Sequence, residues 1–338
     1  MCRALAVTAA VTLCAVPGAF GDGGVRTGAA ERTCADAAAR TRGERDTNPA
    51  HRLRPGQAAA MLDDLRATLA LRYGTSDERA AVARASAGPG ERRRPRRVVV
   101  PVRVHIITDG AEGRVSRARV RRQISTLNRA YGGGGGGADT GVTFRLAGID
   151  TRSDRRWFRR PQRYERQMKR ALRKGGPETL NLYTAAVGED LLGFSTFPQW
   201  YRRDRVADGV VVDHRTLPGG SFRHFDRGFT AVHEIGHWLG LFHTFENGCA
   251  PPGDGVADTP YEARPADGCP RRRDTCRQPG HDPVRNFMNY AWDECMREFT
   301  RGQGLRIRAS WAAYRAPGRR AARGADRGGG ARSVGAAR

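Results

Sequence analysis

His233, Glu234, His237, Gly240 and His243 stand at the spacing H-E-x-x-H-x-x-G-x-x-H. Four residues make about one turn of helix, so His233 and His237 project from one face and can grip one metal ion together. Glu234 sits beside them, where its carboxylate can reach a water on that metal. Gly240 permits a sharp backbone turn through conformations that strain a residue bearing a Cβ, and the turned chain can bring back His243 as a third ligand. Three protein ligands leave a fourth position open, which is the arrangement of a catalytic zinc site. A lone histidine on a helix is usually a core or surface histidine, and a bare H-E-x-x-H arises by chance. Five fixed residues over eleven positions are far more restrictive.

The elements that must position these groups are partly legible. Val232, Ile235 and Leu239 recur at helical spacing, giving a helix over 230–239 a buried face. The polar groups on its other side then need a partner, which zinc and its water supply. Upstream, 98–107 is rich in Val and Ile and reads as a strand, as do 142–149, 180–184, 193–197 and 209–212. Ser116 can cap a helix carrying Val120, Ile124 and Leu127, and 165–172 is helical. The glycine run 133–137 reads as a mobile loop. Residues 244–298 are loop-rich, and Thr300 with Gln303 forms a capping-box pattern opening a last helix with Ile307, Trp311 and Tyr314 on one face. Farther upstream, 57–73 has helical spacing, with Leu62, Leu65, Leu69 and Leu71 on a modest apolar side.

The chain has 338 residues, seven cysteines and a formal net charge of +24. Met1-Cys2-Arg3, an apolar run over 4–16 and small residues near 18–21 make a secretory signal peptide over 1–21. The run is short for a membrane span, and Leu13 before Cys14 argues against a lipoprotein site. Cys249, Cys269, Cys276 and Cys295 cluster near the site, and four cysteines allow three connectivities. A second zinc site is the rival reading; irregular spacing and an oxidising compartment favour disulfides. Apart from Lys169 and Lys174, the basic residues are arginines. Beside abundant Ala and Gly this is a compositional bias, so no specific nucleic-acid partner is expected, although a basic surface of this strength can bind polyanions. The basic junction 92–97 is either a linker or a processing site, with processing the preferred reading, which makes 22–97 a propeptide. Residues 313–338 are Gly- and Arg-rich and read as a disordered basic tail.

One series of motifs is specific to a family. His237-Trp238-Leu239-Gly240-Leu241-Phe242-His243-Thr244-Phe245 is followed by Gly248-Cys249 and by Asp254-Gly255-Val256-Ala257-Asp258-Thr259-Pro260. Gly268-Cys269-Pro270, Asp274-Thr275-Cys276, Asn286-Phe287-Met288-Asn289-Tyr290, Cys295-Met296 and Phe299-Thr300-Arg301-Gly302-Gln303 complete it. The order resembles the pappalysin family of metzincin zinc proteases, in its small secreted, ulilysin-like members. The likeness spans about 98–312.

The resemblance implies an α+β fold in two subdomains. A twisted mixed sheet and the active-site helix form one, and an irregular, disulfide-stapled half with a C-terminal helix forms the other. It implies that Met288 forms a methionine turn beneath the metal and that Tyr290 aims at the metal and the reacting carbonyl. It implies Cys249 paired with Cys276 and Cys269 with Cys295. It further implies calcium near Asp254, Asp258 and Thr259, hard oxygen ligands on a loop that Asp and Gly would favour in any case. Relatives of this kind cut before Arg or Lys through an acidic residue at the base of a pocket, for which Asp293 and Glu294 are the candidates. Their pro-forms use a cysteine to occupy the zinc, and Cys34, left over once Cys2 and Cys14 depart with the signal, is placed for that role.

The expected protein is therefore a secreted zinc endopeptidase with Glu234 as general base. It would act as a monomer on protein or peptide substrates, with no membrane attachment after signal removal. Three rivals stand beside it: another metallohydrolase on the same ligands, an inert zinc-binding module, and a polyanion-binding protein. The intact Glu234 argues against inertness. Gly240 and His243 argue against a thermolysin-like enzyme, which takes a downstream Glu as third ligand.

Overall fold

Long β-branched runs build the centre of the molecule. The computed structural model describes residues 53–87 and 97–317. Strand β1 (Val98–Thr108) lies between β2 (Val142–Ser153) and β3 (Leu180–Ala185), parallel to both. Strand β5 (Val210–Asp213) continues the parallel set beside β3, and β4 (Gly193–Ser195) closes one edge antiparallel to β5. The order is β2-β1-β3-β5-β4, a five-stranded mixed sheet. Pro101 cannot donate to a ladder; it stands just before the shift of register at Val102 and Arg103, where strands tolerate proline.

A mostly parallel sheet needs cover on both faces. One face packs Val102, Val104 and Leu182 against Leu127 and against Val232 and Ile235. Leu127 belongs to α3 (Arg117–Tyr131), which the Ser116 side chain caps by accepting from Arg119 N at 3.2 Å. Val232 and Ile235 belong to α6 (Phe229–Trp238), the helix that carries the histidine motif. The other face is covered by α4 (Arg155–Arg159) and α5 (Pro161–Leu172), with Phe158 and Met168 packed near Tyr183 and Val211. Among the covering helices, α4 carried no signal in the sequence.

The glycine run is not the mobile loop expected. A Cβ on Gly135 would collide with Arg297 O, and one on Gly137 with Glu298, while Ala138 N donates to Phe299 O at 2.9 Å. These glycines are required by close approach to the backbone of 297–299, so low complexity here marks packing rather than freedom.

Beyond α6 the chain turns irregular. Between 244 and 299 the only ladder contact is an isolated bridge, Asn286 with Glu298, and two disulfides, Cys249–Cys276 and Cys269–Cys295, staple it. Helix α7 (Arg301–Ser310) opens on the full Thr300–Gln303 capping box and continues as a π-turn over Trp311–Arg315. Arg315, assigned to the tail, is fully buried: it donates to Trp238 O at 2.9 Å and pairs with Asp208 at 3.1 Å. The folded body therefore runs past 312. Residues 318–338 lie outside the described residues.

Before β1, α1 (Gln57–Tyr73) forms as expected, and α2 (Glu78–Ser86), which the sequence did not signal, follows it with Asp77 as cap. Leu62, Leu65 and Leu69 are buried, whereas Leu71, expected on the same side, is 87% exposed.

Candidate active site

Helix α6 is buried along its length, so its polar side chains must satisfy one another or a bound group. His233 and His237 follow one another by a turn, as the spacing requires. At Gly240 (φ +97°) the chain leaves the helix; a Cβ there would collide with Ser310, so both the dihedral and the close approach demand glycine. The turn returns His243 to the other two imidazoles. His237 Nε2 lies 3.1 Å from His233 Nε2 and 3.1 Å from His243 Nε2. Among the described residues this is the one set of three metal-capable groups brought within reach of one ion, all within 4.8 Å of one another.

The outer nitrogens fix the chemistry of the inner ones. His233 Nδ1 is 2.7 Å from Phe287 O, and His237 Nδ1 is 2.8 Å from Leu241 O. A carbonyl only accepts, so each Nδ1 carries the proton and each Nε2 presents its lone pair to the centre. Burial holds His233 down to about 4 and His237 down to about 3, and pushes His243 well below its ordinary value. The three rings are neutral at neutral pH, the state a metal ion needs. His243 stacks on Phe245 with ring centroids 4.7 Å apart. The donor set, three neutral imidazole nitrogens with an adjacent carboxylate, fits zinc.

Glu234 is 4% exposed, and its Oε2 accepts from Ser195 Oγ at 2.8 Å. Ser195 is the last residue of edge strand β4, so the carboxylate is held against the sheet edge. Met288 is fully buried beneath the helix, where a Cβ on Gly236 would collide with its Sδ. Two residues on, the Tyr290 hydroxyl lies 3.0 Å from His243 Nε2. The structure thus brings together His233, His237, His243, Glu234, Met288 and Tyr290.

Other expected residues are dispersed. Asp293 is buried at the entrance of α6, accepts from Arg227 N at 2.8 Å and is pushed up to about 7 by burial. Glu294 is partly exposed and faces His224 Nδ1 at 3.3 Å. Asp254 is buried, accepts from Val256 N at 2.9 Å and is raised to about 7 by burial, with Thr259 beside it. Asp258 turns away to the start of α7, accepting from Thr300 Oγ1 at 2.7 Å and Gly302 N at 2.9 Å. Cys34 lies outside the described residues, as do Cys2, Cys14 and residues 92–96.

The sequence did not point to three supports of this site. Ser195 was one position in a short strand. Asp208, which accepts from Trp238 Nε1 at 3.2 Å and pairs with Arg315, needed the tertiary fold to become visible. Glu262, wholly buried, accepts from Thr244 Oγ1 and Asn289 Nδ2, both at 2.8 Å, and pairs with Arg273 at 2.5 Å. It thereby ties the residue after His243 to the residue before Tyr290. An isolated Glu in a turn-rich stretch carries no periodicity that could announce this.

The family model Peptidase_M43, described as pregnancy-associated plasma protein-A, matches residues 192–312. An extracellular metalloprotease of Arthroderma benhamiae is 38% identical over 225 residues, which are 65% of this chain and 74% of that one. The chain belongs to the pappalysin family of metallopeptidases. Another pappalysin relative, an extracellular metalloprotease of Verticillium alfalfae, is 44% identical over 212 residues, 61% of this chain and 72% of its own. Among solved structures, mature mirolysin of Tannerella forsythia in complex with a cleaved peptide is similar with a TM-score of 0.57 and 26% identity, over 65% of this chain and 99% of that one. A promirolysin mutant from the same organism shares the fold, with a TM-score of 0.62 at 23% identity over 75% of this chain and 88% of its own. The α+β metzincin fold expected from the pappalysin motifs is thus the observed one. No helix among the described residues is long and apolar enough to cross a membrane.

Proposed function

We propose that this pappalysin is a secreted zinc endopeptidase whose metal is held by His233, His237 and His243 and whose general base is Glu234. The observation that carries the reading is the convergence of three neutral Nε2 atoms beside a buried carboxylate. Zinc, when bound, supplies a Lewis acid that polarises the scissile carbonyl and lowers the pKa of its water towards about 7. Glu234 takes the proton of the attacking water and delivers it to the leaving amine. Tyr290, placed at the histidine cluster, donates to the oxygen on which charge develops. Edge strand β4 accepts an extended peptide by strand addition, which sets the peptide next to Glu234. Mirolysin, whose structure carries a cleaved peptide, supports a peptide substrate here.

Asp293, buried at the entrance of α6, is the better candidate for preferring Arg or Lys after the scissile bond; Glu294 is the more exposed. Residues 1–21 direct export, 22–97 form a propeptide, 98–312 carry the catalytic machinery, and Cys34 occupies the metal until the segment is removed. The export reading is supported by the extracellular relatives. Calcium is proposed at Asp254 and Thr259; the engagement of Asp258 with α7 leaves it a smaller part. The enzyme acts as a monomer.

The test is casein turnover before and after a zinc chelator, with zinc added back. Loss and recovery of turnover are expected, and full turnover in the chelated protein would overturn the reading. A peptide library without enrichment of Arg or Lys after the cut would retire the specificity assignment. A thermal midpoint identical with calcium and with a calcium-selective chelator would retire the calcium site.

A further inference from the structure

The two helices before the sheet bury an apolar stripe on the body they precede. Met61, Leu62, Leu65 and Leu69 recur at three and four residues, one face of a helix. Leu65 and Leu69 pack with Ala309 of α7 and Ala313 of the turn after it. Met61 and Leu62 pack with Phe197 and Phe242, and the Phe197 ring stands 5.2 Å from that of His237. The face that receives the hairpin is thus the apolar wall beside the histidine cluster.

Polar contacts surround this stripe. Arg72 NH1 donates to Ala312 O at 2.7 Å and to Ala313 O at 2.6 Å, and Tyr73 Oη to Ala312 O at 3.1 Å. These are carbonyls at the end of a helix, which have no partner within it. Arg306 pairs with Glu78 at 2.8 Å, with side chains 6% and 20% exposed, and the Tyr314 hydroxyl donates to Asp64 Oδ2 at 2.7 Å. All these contacts are made by residues between 58 and 82, away from the stretch 88–96 that leads to β1. Cutting that stretch removes only the effective concentration that covalent linkage supplies; the buried stripe, the ion pair and the carbonyl contacts are untouched.

We propose that the helical hairpin 57–86 is a docked partner of the catalytic body, held by its own interface, and that after the connection is cut it stays bound as a second chain covering the wall beside His237. This rests on reading 22–97 as a segment that is removed, and it adds that scission alone does not remove the hairpin.

The experiment uses the full chain with Glu234→Gln, so that the protein does not digest itself, and a recognition sequence for an added protease placed within 88–96. After cutting, the pieces are run on gel filtration at micromolar concentration. Co-elution, reversed by denaturant, is the expected result; separation overturns the proposal. The same cut is made with Leu65→Asp and Leu69→Asp together, and separately with Glu78→Gln, each first checked for a native circular dichroism spectrum before cutting. The leucine pair should abolish co-elution. If it does not fold, Glu78→Gln decides: it should weaken retention about tenfold or more. Retention unchanged in the variants that fold would overturn the placement of the interface. Because the cut is imposed, the outcome does not depend on how natural processing occurs, and catalysis is not read.

Discussion

His233 and His237 ride on a helix packed against a five-stranded sheet, while His243, Met288 and Tyr290 ride on chain that forms no helix or strand between 239 and 300. The first region holds its side chains by apolar burial: Val232, Ile235 and Leu182 are each at most 1% exposed. The second shares that core through Phe287, Met288 and Phe299, and adds two disulfides and a buried carboxylate, Glu262, shared among Thr244, Asn289 and Arg273. The regions meet along this shared core, and at the histidine cluster they are joined by His233 Nδ1 on Phe287 O. The difference teaches that irregular chain can be as well positioned as a helix when its polar groups are buried and satisfied.

The strongest way to break this contrast is Glu262→Ala. It removes the acceptor shared by Arg273, Thr244 and Asn289; Arg273 keeps Asp282 at 3.3 Å, but the Thr244 and Asn289 donors lose a buried acceptor at about 1–3 kcal/mol each. Amide exchange should accelerate first across 286–290 while β1 and β3 stay protected. The counterpart in the sheet, Leu182→Ala, should cost about 2–5 kcal/mol and lower protection in all neighbouring strands. Equal patterns in the two variants would erase the distinction.

Removing Cys249–Cys276 by a double change to serine should cost about 2–4 kcal/mol, again confined to exchange in the irregular half. Acid should act at the junction of the two regions. An imidazole in the unfolded chain takes its proton near 6.5, as an ordinary histidine does, whereas burial keeps His233 neutral down to about 4 and His237 down to about 3. The unfolded state then binds more protons as pH falls, so stability of the metal-free protein is present above 6.5 and is lost progressively towards about 3. Proton competition releases metal over the same interval. A metal-free thermal midpoint that stays constant from pH 7 to 4.5 would contradict the burial of these rings. The smallest effect is Thr300→Ala, which removes one half of the capping box of α7 at a cost of about 1 kcal/mol and should leave exchange at the histidines unchanged.

Much of the regular half was legible in the sequence. The strands announced themselves by Val and Ile runs, the caps Ser116 and Thr300 by their type and position, and the convergence of His233, His237 and His243 by the fixed spacing of five residues. Helices α2 and α4 escaped because one is rich in Ala and Arg without a periodic apolar face and the other is only a turn and a half long. The glycine run misled because a sequence does not show what approaches it; the backbone of 297–299 does. Leu71 misled because it is one residue out of phase with Leu62, Leu65 and Leu69. In the irregular half the motifs located Met288 and Tyr290 through resemblance, but Ser195, Asp208 and Glu262 are single polar residues whose partners lie 11 to 107 residues away. No local pattern encodes such contacts.

The central claim is that three imidazoles hold one metal and that Glu234 moves the proton. Zinc content and peptide turnover should be measured on the same preparation of Glu234→Ala. One zinc per chain with turnover reduced by about 100-fold or more, the scale of a lost general base, is the predicted result. Turnover close to that of the unaltered protein would contradict the role of Glu234, and loss of the metal itself would contradict its assignment as a base standing beside a complete histidine site.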